Sequence, residues 1–283
     1  LPEFIDFSEF GKSIGDYCYK EVGARNNKTK LVGKFPKFVP LTDDMLFFLG
    51  LYTAEGSNVE SRGQHSLSFN LSEQHLVDKC KNILKIFGLN YWETFSGNGR
   101  YLGFSSKIFS EFISKHIGHG SGNKHIPKFL QGCSSKELLP YLEGLFAGDG
   151  SCCIKEKNFK SGLTTMSKDL AYQVLHILYG FGIRPQLLEF PGGKRILIYH
   201  NKKYTTTKTY YTIELNHKQI STIYNSKVYT FDSFTDNSLA ISIKNMVKIP
   251  YTGMVYNLEV EDDNSYTTCG FSAHNCGVHG RPV

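Results

Sequence analysis

The chain repeats itself. Phe48-Leu-Gly-Leu-Tyr-Thr-Ala-Glu-Gly-Ser57 aligns with Leu142-Glu-Gly-Leu-Phe-Ala-Gly-Asp-Gly-Ser151, pairing Gly50 with Gly144 and Glu55 with Asp149 at a constant offset of 94 residues. The offset persists downstream, where Leu76, Phe87 and Gly88 pair with Leu170, Phe181 and Gly182. Upstream, Phe35-Pro-Lys-Phe-Val39 matches Ile126-Pro-Lys-Phe-Leu130 at a slightly different spacing. A duplicated unit leaves an apolar face that its copy covers, so the chain is expected to fold as a pseudo-twofold molecule on its own, a monomer.

Each copy opens with a helix that announces its start. Thr42 precedes Asp43 and Asp44, and Ser134-Ser-Lys-Glu137 has the spacing of a capping box. Glycine inside a helix costs on the order of 1 kcal/mol relative to alanine. Gly50 and Gly144 nevertheless hold equivalent interior positions, each followed four residues later by Ala54 or Gly148. Two helices packed through these small residues would bring Glu55 and Asp149 out side by side. An acid at a helix C-terminus opposes the helix dipole, so its recurrence points to a function.

Strands follow each helix. In His65–Ser72, Leu67, Phe69 and Leu71 alternate with Ser66, Ser68, Asn70 and Ser72, the pattern of a half-buried strand. Tyr210–Asn216 alternates likewise, and Pro191-Gly-Gly-Lys194 marks a turn before Ile196–Tyr199. With helical stretches over Leu76–Phe87 and Leu170–Phe181, each half reads as αββαββα and the fold class as α+β. The expected division is a linker or DNA-contacting extension over 1–34, repeat halves over 35–125 and 126–245, then a short C-terminal β segment. In the first segment Lys20, Arg25, Lys28 and Lys30 are the basic residues that either role would use.

A net charge of +6 and a pI near 8.8 favour a polyanionic partner. The seven cysteines are odd in number and none has C-x-x-C spacing, which predicts a reducing, intracellular setting. No apolar run approaches the roughly 18 residues that span a bilayer, so no membrane partner is expected.

Together these residues resemble the LAGLIDADG, or dodecapeptide, homing endonucleases over roughly Phe35 to Lys227. The resemblance implies that the two motif helices form the central interface, with saddle-shaped antiparallel sheets lying over double-stranded DNA at a long, asymmetric site. It implies that Glu55 and Asp149 bind divalent metal, Mg2+ or Mn2+, with the carbonyls of Ala54 and Gly148 completing parts of the shells. Two carboxylate-held ions suit phosphodiester hydrolysis, since they can supply both a nucleophilic water and relief of charge on the leaving oxygen. Further catalytic positions implied are Glu73, with either Ser167 or Lys168 as its counterpart, and a lysine after a strand end, Lys107 or Lys218. DNA contacts are expected from Arg62, Gln64, Ser68, Asn70 and Arg100 in the first half. In the second they are expected from Lys155, Lys157, Lys160, Lys194, Arg195, Lys202, Lys203 and Lys208.

The C-terminal end carries a second resemblance. Val247-Lys-Ile-Pro-Tyr-Thr-Gly-Met-Val-Tyr-Asn-Leu-Glu-Val260, followed by Phe271-Ser-Ala-His-Asn-Cys276, looks like the C-terminal splicing segment of an intein, placed over 246–275. Asn275 can cyclise to cleave its own peptide bond, His274 can assist as proton donor, and Cys276 can accept the acyl group. Asn264 stands where many inteins have histidine, and nothing near Leu1 resembles the N-terminal splicing segment. The chain is therefore expected to be a fragment, a naturally split C-terminal part, or a processed product whose missing segment lies on another chain, with 276–283 as a host-protein remnant. Two alternatives accompany this reading: a splicing element whose nuclease domain is inactive and structural, and an RNA-binding maturase.

Overall fold

The structure, a computed structural model, describes residues 1–23, 29–151, 161–193, 196–199, 202–205, 208–215, 234–235, 238–239, 247, 249–254, 265–268 and 271–274. The chain divides into two units, Leu1–Tyr229 and Thr230–Val283. Among the described residues, no helix is long and apolar enough to cross a membrane.

The first unit opens with β1 (Phe4–Asp6), β2 (Lys12–Ile14), β3 (Tyr17–Gly23), β4 (Thr29–Pro36) and β5 (Phe38–Pro40). β1 pairs with β5, and β2, β3 and β4 form an antiparallel sheet. Phe7, Cys18 and Phe35 are fully buried, with the Phe7 ring 4.7 Å from those of Phe35 and Phe112. Among the described residues of this segment, Ile5, Phe7, Phe10 and Cys18 are thus part of the first repeat's core and not of a solvated linker. Lys20 is held by Glu111 in an ion pair, and Arg25 and Lys28 lie outside the described residues.

Helix α1 (Asp43–Glu55) starts where Thr42 accepts a hydrogen bond from the Met45 amide at 3.3 Å. After it come β6 (Gly56–Val59), β7 (Gln64–Asn70), α2 (Gln74–Ile86), β8 (Tyr91–Ser96), β9 (Gly99–Ser105) and α3 (Lys107–His116), so the first half is αββαββα. Its sheet has the order β6-β7-β9-β8 and is antiparallel throughout. His65, Leu67 and Phe69 face the core; Leu71 lies past the strand end and is 52% exposed. The strand is one register step shorter than its alternation suggested, because the chain turns at Asn70 to start α2.

The second half repeats the plan with α4 (Leu139–Asp149), β10 (Gly150–Ser151), β11 (Ser161–Thr165), α5 (Lys168–Gly180) and β12 (Gln186–Phe190). A hairpin of β13 (Ile196–Tyr199) and β14 (Lys202–Thr205) then precedes β15 (Tyr210–Leu215). Its sheet order, β10-β11-β15-β12, mirrors the first. The helix expected after Leu215 falls outside the described residues. Ser134 and Glu137 do form the reciprocal capping bonds, but one turn ahead of α4, whose first turn holds Pro140.

α1 and α4 meet as the repeat required. A Cβ on Gly50 would lie 1.9 Å from the Tyr141 carbonyl oxygen, and one on Gly144 would lie 2.0 Å from that of Phe47. The backbones therefore touch twice, in symmetry-related places, where only hydrogen fits. Beside this contact the Tyr141 hydroxyl donates to Thr53 Oγ1 at 2.9 Å, and Thr53 in turn donates to the Leu49 carbonyl.

The second unit has β16 (Phe234–Thr235) paired with β17 (Ser238–Leu239), and β18 (Ser265–Thr268) paired with β19 (Phe271–His274). The strand expected over Val255–Val260 lies outside the described residues.

Candidate active site

Glu55 and Asp149 are the last residues of α1 and α4. The glycine contact fixes the two helices against each other, so their ends emerge together. Both carboxyls are held above the ordinary carboxylate range, first by loss of hydration. Glu55 is pushed further by the negative charges of Asp149 and Glu73. Asp149 keeps substantial contact with water, as an ion-binding oxygen must.

A lysine answers the two acids. Lys124, in the loop joining the repeats, lies close enough that its charge pulls both carboxyls back down. Its Nζ donates to the Ala54 carbonyl at 2.7 Å. Burial lowers its own pKa, while Asp149 and Glu55 work to raise it. The Lys124 carbonyl accepts from Ser167 Oγ, which also caps α5 by accepting from the Leu170 amide at 3.2 Å. One residue thereby ties the end of α1 to the start of α5.

Beside Lys124 opens a cleft of about 360 Å3 lined by Tyr52, Ser57, Asn58, His119 and Ser121 among others. His119 Nδ1 lies 2.7 Å from Asn58 Oδ1, and Asn58 Nδ2 donates to Ser110 Oγ at 3.2 Å.

The remaining expected residues divide clearly. Glu73 follows β7, where it accepts from the Asn70 amide at 2.8 Å and from Asn70 Nδ2 at 3.2 Å, and its charge reaches Glu55. Ser167, its counterpart at the same offset, is buried as a helix cap. Lys168 is exposed with its Nζ 5.8 Å from the Tyr172 ring, and Lys107 packs beside Gly63 at the start of α3; no described contact joins either to the acids. Gln64, Ser68 and Asn70 share the open face of the first sheet, and Arg62 sits in the exposed turn before it. Arg100 does not share that face. It is 8% exposed, its Nε donates to Glu93 Oε2 at 2.6 Å, and its guanidinium also reaches Gln74. Pleating places it with Leu102 and Phe104 on the core side. Lys208 is exposed, and Lys202 and Lys203 lie on β14. His274 ends β19. Lys155, Lys157, Lys160, Lys194, Arg195, Lys218, Asn275 and Cys276 lie outside the described residues.

The acids and the carbonyls of Ala54 and Gly148 are hard oxygen donors of the sort a magnesium ion takes. Among the described residues no cluster of three or more His, Cys, Asp or Glu gathers to hold a metal. These oxygen donors fit a magnesium ion, and Glu55 and Asp149 would be the side chains that hold it.

The duplicated α+β fold with paired acids at a glycine-tight helix interface resembles that of LAGLIDADG domains, and residues 136–229 match the sequence profile of the LAGLIDADG-like domain. The chain is also 28% identical over 273 residues to the ATP-dependent DNA helicase Hel308 of Thermococcus kodakarensis, an alignment covering 92% of this chain and 24% of the helicase. It is 29% identical over 188 residues to the DNA-directed RNA polymerase subunit Rpo1C of Methanocaldococcus jannaschii, covering 64% of this chain and 20% of that subunit. The chain thus spans about a quarter or less of these relatives. Among solved structures it is similar to I-DmoI in complex with DNA and Ca, with TM-score 0.45 and 13% identity over 65% of this chain and 88% of that one.

Proposed function

We propose that the first unit is a site-specific double-strand DNA endonuclease of the homing type, borne within a protein-splicing element. The observation that carries the nuclease reading is the convergence of Glu55, Asp149 and Lys124 at the end of the reciprocal Gly50–Gly144 contact. Glu55 and Asp149 would hold Mg2+ or Mn2+, which supply charge neutralisation and an activated water. Lys124, whose charge acts on both acids, would stabilise charge developing on the phosphate. The two open sheet faces differ in side chains, so the target is asymmetric, and the pseudo-dimer lets one chain span it. Lys202 and Lys203 would supply phosphate contacts that position the duplex, as the sequence reading expects.

A helicase and an RNA polymerase subunit have different tasks, yet both align with this chain. A segment common to such hosts behaves as an insert, which favours the splicing reading of His274, Asn275 and Cys276. The alternative of a structural, inactive nuclease has one observation in its favour: the Ala54 carbonyl is already engaged by Lys124.

The test is incubation with Mg2+ and a plasmid carrying the uninterrupted host sequence. One double-strand cut is expected, abolished by Glu55→Gln or Asp149→Asn. Binding without cutting would leave the inactive alternative, and neither binding nor cutting would sink the nuclease reading. Splicing is tested separately by supplying an N-terminal splicing segment, with Asn275→Ala expected to block release of joined flanks.

A further inference from the structure

The open face of the first sheet has an unusual chemistry for a surface meant to lie on DNA: none of its described residues is charged. The registers arrange it in cross-strand rows, one of Ser57, Ser66, Gly103 and Trp92, the next of Ser68, Tyr101 and Thr94. Glu93, whose neighbours on β8 share this face, points the other way and is tied to Lys81 and Arg100. A face free of both carboxylates and cations neither repels a phosphate backbone nor grips it. Without ion pairs to phosphate, its hydroxyl, amide and aromatic groups are free to meet base edges.

Trp92 dominates that face. A Cβ on Gly103 would lie 2.3 Å from Trp92 Cε2 and 2.4 Å from Nε1, so the glycine is a seat on which the nitrogen-bearing edge of the indole rests. The remainder of the ring is carbon, and the side chain is 44% exposed, with the Tyr101 ring 37% exposed in the adjoining row. Major-groove edges offer donors, acceptors and a single kind of apolar group, the C5 methyl of thymine. Resting on the DNA-cleaving function proposed above, we propose that Trp92 is a specificity-determining residue of the first repeat, its carbon edge packing on a thymine methyl.

Uracil differs from thymine by that methyl alone, which makes the contact separable from DNA binding as such. Duplexes selected from a random library by the wild-type protein, without divalent metal, would have each thymine replaced singly by uracil. At one position in the half covered by the first repeat, the wild type should lose about fourfold in affinity, the worth of one buried methyl. Trp92→Ala should bind the thymine and uracil duplexes equally, and Trp92→Phe should keep part of the discrimination while confirming that the fold survives. Trp92 is the sole tryptophan in the chain, so its emission should also change on adding the thymine duplex. An equal thymine preference in wild type and Trp92→Ala, or no preference in the wild type, would overturn the assignment while leaving DNA binding intact. No binding to any duplex would instead remove the nuclease reading on which it rests.

Discussion

Lys124 Nζ donates to the carbonyl oxygen of Ala54 at 2.7 Å, across 70 residues of sequence. This bond holds a cation beside two acids whose lost hydration makes them reluctant to ionise together. Lys124→Met should therefore reduce cleavage by about a hundredfold or more, the scale of losing one preorganised charge at a phosphate. It should also raise the pH at which Glu55 and Asp149 ionise. Carboxyl signals followed by NMR titration in metal-free protein would show this, and unchanged titration together with full cleavage would exclude the role. Lys124→Arg should restore the titration more fully than the activity.

The Gly50 and Gly144 contact makes a sharper structural demand. A methyl group 1.9 or 2.0 Å from a backbone carbonyl oxygen cannot be relieved by a rotamer change. Gly50→Ala or Gly144→Ala should cost about 3 kcal/mol or more, beyond ordinary overpacking, and cleavage should fall as the acids separate. Gly122, with nothing within 4 Å of its Cβ position, is the control, where Ala should change the thermal midpoint little. Differential scanning calorimetry of the three variants decides it.

Much of this arrangement is legible in the amino-acid sequence. The offset of 94 residues set the fold, and glycine at matched interior positions set the interface. Lys124 was not legible, because its place in the first copy is taken by Gly33 and a repeat comparison finds only what is duplicated. One lysine acts on both acids by its charge, so the site breaks the symmetry that revealed it. The burial of Phe7 and Phe10 was hidden for a different reason: they sit in a single 3-10 turn between short strands, where no period shows, and both rings pack on Phe112 of α3.

His65 ties stability to pH. It is 2% exposed, its Nδ1 lies 2.6 Å from the Tyr52 hydroxyl and its Nε2 lies 3.1 Å from the Ser106 carbonyl, and burial lowers its pKa to about 4. The unfolded chain binds this proton at about 6.5. The folded state therefore binds fewer protons between these values, and stability falls as pH drops from about 6.5 to about 4. The loss from this group is about 3 kcal/mol. Urea midpoints measured across that interval should fall more steeply in the wild type than in His65→Gln; parallel curves would rule the linkage out.

Arg100 separates a DNA contact from a structural one. Two residues before Leu102 and four before Phe104, it shares their face, and pleating alone turns it toward the core. There its guanidinium bonds Glu93 and Gln74, and Glu93 also pairs with Lys81. Arg100→Ala would leave the partly buried Glu93 carboxylate with one cation where it had two. A stability loss of about 2 kcal/mol is expected, below the 3–5 typical of fully buried pairs because Glu93 retains Lys81 and some solvent. A residue that contacted phosphate would instead lower the salt dependence of DNA binding by about one unit of slope when removed. Measuring the melting temperature and the salt slope on the same variant distinguishes the two, and a reduced slope with unchanged melting would return Arg100 to the DNA face.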